Sequence, residues 1–187
     1  MTALLGQFVK EPRGVRFDGQ DNEEKILLFL RQHVIVNIKW ILITALLILA
    51  IPVFEFLLSL GGTSMGQLIP AKYNFVIRLL LGLFTFGYFF ENFLNWYFNS
   101  YIITNKRVID IDFYGITHRR FSEAPLRNIE DITNQISGFG QVIFHYGDVS
   151  IQTAAEAREI TFENVPDPDK VQDIVSDLIS GIKRESE

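Results

Sequence analysis

The chain has 187 residues, a net charge of −5 and a hydrophobic fraction of 48%, and it contains no cysteine. The absence of cysteine excludes disulfide scaffolds, thiolate zinc sites, iron–sulfur clusters and cysteine nucleophiles, and the acidic balance argues against nucleic acid as a partner. The mean hydropathy is positive, +0.19, although 21% of the residues are charged. The apolar residues must therefore be concentrated in blocks.

The distribution of charge divides the chain into three parts. Residues 1–39 carry a net charge of +1, residues 40–97 a net charge of 0 with only four charged side chains, and residues 98–187 a net charge of −6. The middle part is therefore almost free of charge, whereas the last part has the composition of an acidic, water-soluble unit.

The N-terminal part has the weakest pattern. Residues 1–20 combine three glycines with mixed charge and are predicted to be a mobile tail. Residues 21–39 are predicted to be a juxtamembrane segment, in which Asp21 and Glu24 have the spacing of a helix capping box before an apolar run. We expect a short helix on the inner leaflet here, with an edge strand of the C-terminal domain as the alternative.

Two long apolar runs occupy the middle part. As a helix, residues 40–60 span about 31 Å at ~1.5 Å per residue, which matches the ~30 Å hydrocarbon core of a bilayer. Residues 73–98 are long enough to span with some tilt, and residues 61–72 between the runs are rich in Gly, Ser and Pro and predict a short turn. Two buried helices of a soluble protein are the alternative, but the rest of the chain is too small to wrap them. The sequence therefore predicts a transmembrane hairpin.

Basic residues flanking the two runs predict their orientation. The N-terminal side carries three of them and the C-terminal side two, whereas the turn carries one. They are Lys25, Arg31 and Lys39; Lys106 and Arg107; and Lys72. The positive-inside rule then places both termini in the cytoplasm, as in a multi-pass protein of the inner membrane. We expect no secretory signal peptide, with the first run acting as the insertion signal.

Charged residues inside the apolar runs are expected to form ion pairs with each other. Glu55 and Arg78 lie equally far from the centre of the turn, so an antiparallel hairpin would place them at the same depth, and Lys39 and Glu91 nearly match in the same way. Charges at such depth cost ~2.5–3.5 kcal/mol each on insertion scales, which pairing relieves. Two intramembrane ion pairs that fix the docking of the helices are the preferred interpretation. The alternative is an ion or proton pathway, which would require an oligomer because two helices cannot enclose a pore.

From Tyr101 onward the periodicity becomes that of strands. Apolar and polar residues alternate in about seven short segments, with turns at Asn105-Lys106 and Tyr114-Gly115. Residues 99–187 are therefore predicted to form a seven-stranded antiparallel barrel or sandwich. Residues 168–184 are predicted to be a C-terminal helix that caps it, because apolar residues recur there at helical spacing. The predicted fold class is membrane α plus all-β.

An ordered set of motifs indicates a family. They are N-S-Y-I-I-T-N-K-R-V-I (Asn99–Ile109), I-E-D-I (Ile129–Ile132), G-F-G (Gly138–Gly140), Y-G-D-V-S-I-Q-T-A (Tyr146–Ala154) and F-E-N-V-P-D-P (Phe162–Pro168). The set resembles the bacterial pleckstrin-homology-like domain of small prokaryotic membrane proteins, in which two transmembrane helices commonly precede the domain. Glu24, Arg31 and His33 add to the resemblance, which covers residues ~22–184. It implies the fold and membrane association, but no ligand and no catalytic residue.

No motif in the sequence predicts an active site. His33, His118 and His145 are far apart and lack partners at metal-ligand spacing, and no nucleophile-elbow, phosphate-loop or dinucleotide motif occurs. We therefore expect no enzymatic activity, no cofactor and no bound metal.

Basic residues of the predicted domain are candidates for contact with anionic lipid or with a partner. They are Lys106, Arg107, Arg119 and Arg120. An ordinary solvated edge is the alternative.

We expect a domain that binds a protein partner or its own copies at the membrane surface. An anionic-headgroup sensor and a subunit of an oligomeric channel or transporter are the alternatives. The expected partners are membrane lipids, an unidentified protein and a second copy of the chain, but not nucleic acid.

Overall fold

The computed structural model describes residues 6–12, 14–17, 19–114, 118–154 and 159–185. The chain forms two compact units. One is a β-domain built from two separate stretches, residues 1–36 and 95–187, and the other is a helical unit of residues 37–94. The β-domain therefore begins well before the predicted boundary at residue 99, because the N-terminal stretch contributes to it.

The β-domain contains a five-stranded antiparallel sheet. Its strands, in spatial order, are β1 (Phe8–Lys10), β2 (Ile26–Leu30), β3 (Ser100–Thr104), β4 (Arg107–Tyr114) and β5 (His118–Pro125). The first two precede the helical unit in sequence, and β2 pairs with β3 across it, with Leu28 opposite Ile103. The predicted mobile tail is therefore wrong for Phe8–Lys10, and Ile26–Leu30 is a strand, as in the alternative, rather than a helix.

A second sheet of three antiparallel strands completes the β-domain. It consists of β6 (Ile129–Gln135), β7 (Tyr146–Thr153) and β8 (Glu159–Pro166), in that order. A short helix, α4 (Phe139–Phe144), connects β6 to β7, and the C-terminal helix α5 (Pro168–Glu185) follows β8.

The strand count and the closure of the predicted barrel need correction. After residue 99 the described part of the chain has six strands, against about seven predicted, and two more come from the N-terminal stretch. The described strands form two separate sheets, so the closed barrel is wrong. The predicted C-terminal helix is confirmed.

Two apolar clusters hold the β-domain together. The larger lies between the two sheets, and α5 packs on it through Val171, Val175 and the partly buried residues of the predicted apolar stripe. The smaller lies on the other face of the five-stranded sheet, around Ile109 and Ile111, and is covered by Val15 and Phe17 of the N-terminal stretch. Strand β4 is therefore covered on both faces, which accounts for the burial of Asp110 at 6% exposure.

The helical unit consists of two long helices with a short one between them. These are α1 (Asn37–Leu60), α2 (Met65–Leu68) and α3 (Ala71–Phe98), the last ending in the β-domain. Both long helices are long and apolar enough to cross a membrane, and most of their large apolar side chains are exposed. Thr44 and Thr85 are buried, and each hydroxyl donates a hydrogen bond of 2.8 Å to the carbonyl four residues earlier.

Candidate binding site

A buried ion pair connects the N-terminal stretch to the turn between β3 and β4. The Glu24 carboxylate accepts hydrogen bonds from Arg107 Nε at 3.0 Å and Arg107 Nη2 at 2.9 Å, and from Thr104 Oγ1 at 2.8 Å. Arg107 Nη2 also donates to Gly19 O, and Nη1 donates to Glu123. The guanidinium is therefore bidentate to Glu24 and engaged with two further acceptors, the geometry in which such pairs are strongest.

The electrostatics of this cluster follow from its geometry. Burial raises the pKa of the Glu24 carboxyl, but the hydrogen bonds from Arg107 and Thr104 outweigh burial, so the pKa lies below its ordinary value. The hydrogen bond and the charge of Glu24 raise the pKa of Arg107, with a further contribution from Glu123. Both groups are charged at neutral pH, and together they attach the N-terminal stretch to the sheet.

The same contacts change the role of two predicted binding residues. Arg107 uses its donors within the domain, and Lys106 Nζ pairs with Asp21 Oδ2 at 3.0 Å. Lys106 is exposed and Arg107 half-buried. A headgroup would have to replace carboxylate partners that already occupy these cations, so their geometry favours a structural role for Arg107.

The other two predicted binding residues lie elsewhere. Arg119 and Arg120 are opposite Phe113 and Asp112, at the far end of β4 from Arg107. At ~3.3 Å per strand residue this separates them from Arg107 by about 17–20 Å. Successive strand residues also point to opposite faces. The structure thus does not bring the four cations into one basic patch.

A groove lies where the two sheets separate. It has a volume of about 620 Å³ and is lined by residues of β5 and β8 and by the ends of neighbouring elements. The lining residues are Arg120, Phe121, Ser122, Glu123, Ala124, Pro125, Asn128, Thr153, Glu159 and Ile160. Strands β5 and β8 are the outer strands of their sheets, so each presents an unpaired edge among the described strands. Such edges are where an extended segment can add a strand.

Part of the β8 edge is already covered. The Glu163 N–H donates to the Tyr101 hydroxyl at 3.1 Å, and the Asn164 carbonyl accepts a hydrogen bond from the His33 N–H at 2.8 Å. These contacts close the C-terminal half of β8. The half that begins at Glu159 lines the groove, so the open edge is about four residues long.

Two aspartates, Asp110 and Asp112, lie on the inward face of β4, the strand that pairs with the groove strand β5. Asp110 is opposite Ser122, a groove residue, and Asp112 is opposite Arg120. Burial and the neighbouring Asp112 raise the pKa of Asp110 to about 7. Burial, Asp112 and Asp148 also raise the pKa of Glu163. Asp110 alternates with Ile109 and Ile111 along β4 and lies on the same face as Val108, which packs between the two sheets.

The sequence motif of Arg31 and His33 lies where the chain leaves the β-domain. The Arg31 guanidinium lies 4.5 Å from the centre of the Tyr97 ring, and the His33 ring stacks on Tyr146 at 5.2 Å. Trp96 Nε1 donates to the Gln32 carbonyl at 3.1 Å. Burial lowers the pKa of His33, and its Nδ1 accepts a hydrogen bond from a backbone N–H. These residues fasten the two departing segments to each other and to the domain.

The charged residues of the helical unit form one of the two expected pairs. Arg78 Nη2 pairs with Glu55 Oε1, and Arg78 Nε donates to Asn74 Oδ1 at 2.6 Å. The ion pairs between described residues do not include Lys39 with Glu91, both of which are exposed. Their distances from the turn differ by about one helical turn, whereas those of Glu55 and Arg78 are equal.

Within the described ranges no three His, Cys, Asp or Glu residues come together as a possible metal site. His33 and His145 belong to the end of the domain near α4, whereas His118 is at the start of β5. The groove and its unpaired strand edges therefore remain the candidate site. The sequence did not indicate this groove, because which strands are outermost depends on pairing between distant segments.

Comparison with known proteins gives a family. The bacterial PH domain family matches residues 33–179. A DUF1696-family protein with a pleckstrin-homology domain from Shewanella loihica is similar at 17% identity and a TM-score of 0.35, over 43% of this chain and 70% of that one. A pleckstrin homology domain from Shewanella amazonensis is similar at 16% identity and a TM-score of 0.34, over 41% of this chain and 63% of that one. Among curated proteins there is no significant match.

Proposed function

The chain belongs to the bacterial PH domain family, and because PH domains are generally non-catalytic binding modules, we propose that it is a membrane-anchored, non-enzymatic binding protein. Its β-domain faces the cytoplasm and binds an extended segment of a protein partner. The observation that carries this proposal is the groove of about 620 Å³ between the edges of β5 and β8.

Three features support the membrane anchor. Helices α1 and α3 have the length and hydropathy of membrane spans. Their large apolar side chains are exposed rather than packed in a protein core, as expected for a lipid-facing helix. The one ion pair within the unit, between Glu55 and Arg78, joins the two helices and relieves the cost of charges at depth. A pairing of this kind favours helix docking over an ion pathway.

The lining of the groove supports an extended polypeptide as its ligand. Unpaired backbone groups on β5 and β8 can form main-chain hydrogen bonds with an added strand, whatever its sequence. Phe121 and Ile160 supply apolar contacts, while Ser122, Glu123 and Arg120 supply polar ones. This combination fits a peptide with alternating side chains better than a small, uniformly apolar ligand.

The lipid-sensor alternative receives less support from the same geometry. It required four cations acting together, but Arg107 is held by Glu24 and Glu123, and Arg119 and Arg120 lie at the other end of the strand. Single exposed cations contribute about 1 kcal/mol each near an anionic surface. That is enough to modulate an anchored domain but too little for selective recognition.

Photo-crosslinking from inside the groove tests the proposal. A photoreactive amino acid at Glu159, an exposed groove residue on β8, is introduced into the full-length protein in native membranes. The matched control is Thr133, an exposed residue on β6, the opposite outer strand of the same three-stranded sheet. We expect a discrete protein adduct from position 159 but not from position 133. Ser122→Phe, which fills the groove, should abolish the adduct while leaving the thermal unfolding midpoint nearly unchanged. Equal adducts from both positions, or an adduct insensitive to Ser122→Phe, would contradict the proposal.

A further inference from the structure

Helix α4 exposes an apolar surface that nothing in the described part of the β-domain covers. Its four large apolar side chains are all at least half exposed: Phe139 84%, Val142 60%, Ile143 55% and Phe144 50%. The helix, Phe139–Phe144, contains no charged residue. By contrast, α5 packs its apolar stripe on the core and exposes polar side chains. Contiguous exposed apolar residues on a folded domain indicate an interaction surface.

The local structure turns the apolar side chains outward. The one polar side chain of α4, Gln141, accepts a hydrogen bond from the backbone N–H of Ser137, which draws it back toward the preceding loop. A Cβ atom at Gly140 would lie 3.6 Å from the Tyr146 hydroxyl, so the Gly140 side of the helix faces the Tyr146 side chain. His145, with φ of 53°, ends the helix in a left-handed conformation. The fold therefore supports α4 from beneath and leaves its apolar side free.

Helix α4 lies at the end of the β-domain from which the chain departs. The ring of Tyr146 beneath the helix stacks on His33 at 5.2 Å. His33 directly precedes the turn Val34–Val36, which leads into α1. The neighbouring Gln32 carbonyl holds Trp96, near the end of α3, at 3.1 Å. A continuous series of contacts thus joins α4 to both segments that connect the domain to the helical unit.

We propose that α4 inserts its apolar side chains into the boundary between headgroups and acyl chains of the bilayer that α1 and α3 cross. This inference rests on the membrane anchor of the proposed function but not on the groove. The occupant is lipid because the anchored segments leave the domain beside α4, so the bilayer surface is present at high effective concentration. An interfacial helix reaches only ~5–10 Å into this boundary, within the reach of exposed Phe, Val and Ile side chains. The insertion would fix the orientation of the β-domain on the membrane.

The cysteine-free chain allows a direct test by single-site labelling. Ile143→Cys carries an environment-sensitive fluorophore in the full-length protein, reconstituted in nanodiscs of phosphatidylcholine and phosphatidylglycerol. Ser180→Cys, on the exposed side of α5 near its C-terminal end, is the matched control. At position 143 we expect blue-shifted emission and strong quenching by lipid-borne nitroxide. Quenching by aqueous iodide should be several-fold weaker there than at position 180. The label at position 180 should show the opposite pattern.

A second variant keeps the result interpretable. With the fluorophore at Val142→Cys, the additional changes Phe139→Asp and Ile143→Asp should return the label to water, while the unfolding midpoint stays the same because these side chains are exposed. Equal iodide quenching at positions 143 and 180 would overturn the inference. So would crosslinking between copies through position 143 without lipid quenching, since that identifies a second chain as the occupant. Carbonate extraction tests the membrane anchor separately. If the protein stays in the membrane while the fluorophore at position 143 is exposed to water, only the insertion of α4 is contradicted.

Discussion

The carboxylate of Glu24 is fully buried and receives hydrogen bonds from Arg107 and Thr104. Replacing it by an amide in Glu24→Gln keeps the shape but removes the charge that Arg107 pairs with. Hydrogen bonds to charged groups contribute ~1.5–3 kcal/mol, so we expect the variant to lose about 2 kcal/mol of stability. Thermal unfolding of the full-length protein in detergent micelles measures the loss. The exposed neighbour Glu23→Gln is the control and should change the midpoint little.

The same residue predicts a dependence on pH. The pKa of Glu24 is lower in the folded protein than its ordinary value of 4.5, so its contribution is fully present above pH 4.5 and is lost as the pH falls through the folded pKa. The difference in stability between the wild type and Glu24→Gln should therefore be constant at neutral pH and shrink below pH 4.5. A difference that did not shrink at all below pH 4.5 would show that the introduced amide group, rather than the lost charge, accounts for it.

Asp110 predicts the opposite trend. Burial and Asp112 raise its pKa from 3.8 to about 7, so the folded state binds a proton that the unfolded state has released between these values. Its ionisation therefore lowers stability as the pH rises from 3.8 to about 7, and the loss is complete above that value. Asp110→Asn removes the charge, and we expect it to stabilise the protein by about 1–3 kcal/mol at pH 8 and by much less at pH 5. Unfolding midpoints across this range measure the effect, with the exposed Asp177→Asn as a control that should show no such trend.

At the scale of single residues, the sequence predicted the contact between Asp21 and Glu24 correctly but assigned it to a helix. The spacing of Asp21 and Glu24 predicted a capping box, and the Asp21 N–H does donate to Glu24 Oε2 at 3.1 Å. The bond, however, closes a turn before a strand rather than the first turn of a helix. The other partner of Glu24 is Arg107, which is 83 residues away. No local pattern could identify that partner, so from the sequence Arg107 was a candidate for contact with anionic lipid or with a protein partner.

The β6–β7 connection depends on close backbone contact. A Cβ atom at Gly147 would lie 2.5 Å from the carbonyl oxygen of Gln135 and 3.1 Å from Ile136. Because the nearest neighbour is backbone on the paired strand, it cannot move aside without disturbing the ladder. We expect Gly147→Ala to cost about 1–3 kcal/mol, measured as a fall in the unfolding midpoint. Gly140→Ala in α4 meets only an ordinary contact at 3.6 Å and should leave the midpoint unchanged, so an equal loss in both variants would contradict this explanation.

Elements with a strong local pattern were predictable, and those that rely on distant partners were not. The two apolar runs predict α1 and α3, and the apolar residues at helical spacing near the C-terminus predict α5, because each pattern is complete within one segment. Strand β1 has only three residues and is ordered through its pairing with β2. The groove depends on which strands are outermost, a property of the assembled sheets. The predicted sandwich and C-terminal helix were therefore correct in kind, while the strand count and closure were not.

The whole molecule is organised around an interrupted domain. The helical unit of residues 37–94 is inserted between β2 and β3, and β2 supplies Leu28 and Leu30, both fully buried in the main core. The two points where the chain leaves and re-enters the domain are close, since Trp96 donates to the Gln32 carbonyl at 3.1 Å. The domain thus closes on itself across the insertion.

Because the helical unit is inserted into the β-domain, we expect the N-terminal stretch to be necessary for folding and the helical unit to be dispensable. Replacing residues 37–94 by a short Gly/Ser linker should give a soluble β-domain with one cooperative thermal transition, since the linker has only a short gap to bridge. A chain that begins at residue 98 should instead lack a cooperative transition, because it loses β1 and β2 and leaves the edge of β3 and the core residues beneath Leu28 open to water. Circular dichroism melting and dispersion of amide NMR signals compare the two. Equal cooperativity in both chains would mean that the N-terminal strands are accessory, and the attachment through Glu24 would then lose its structural importance.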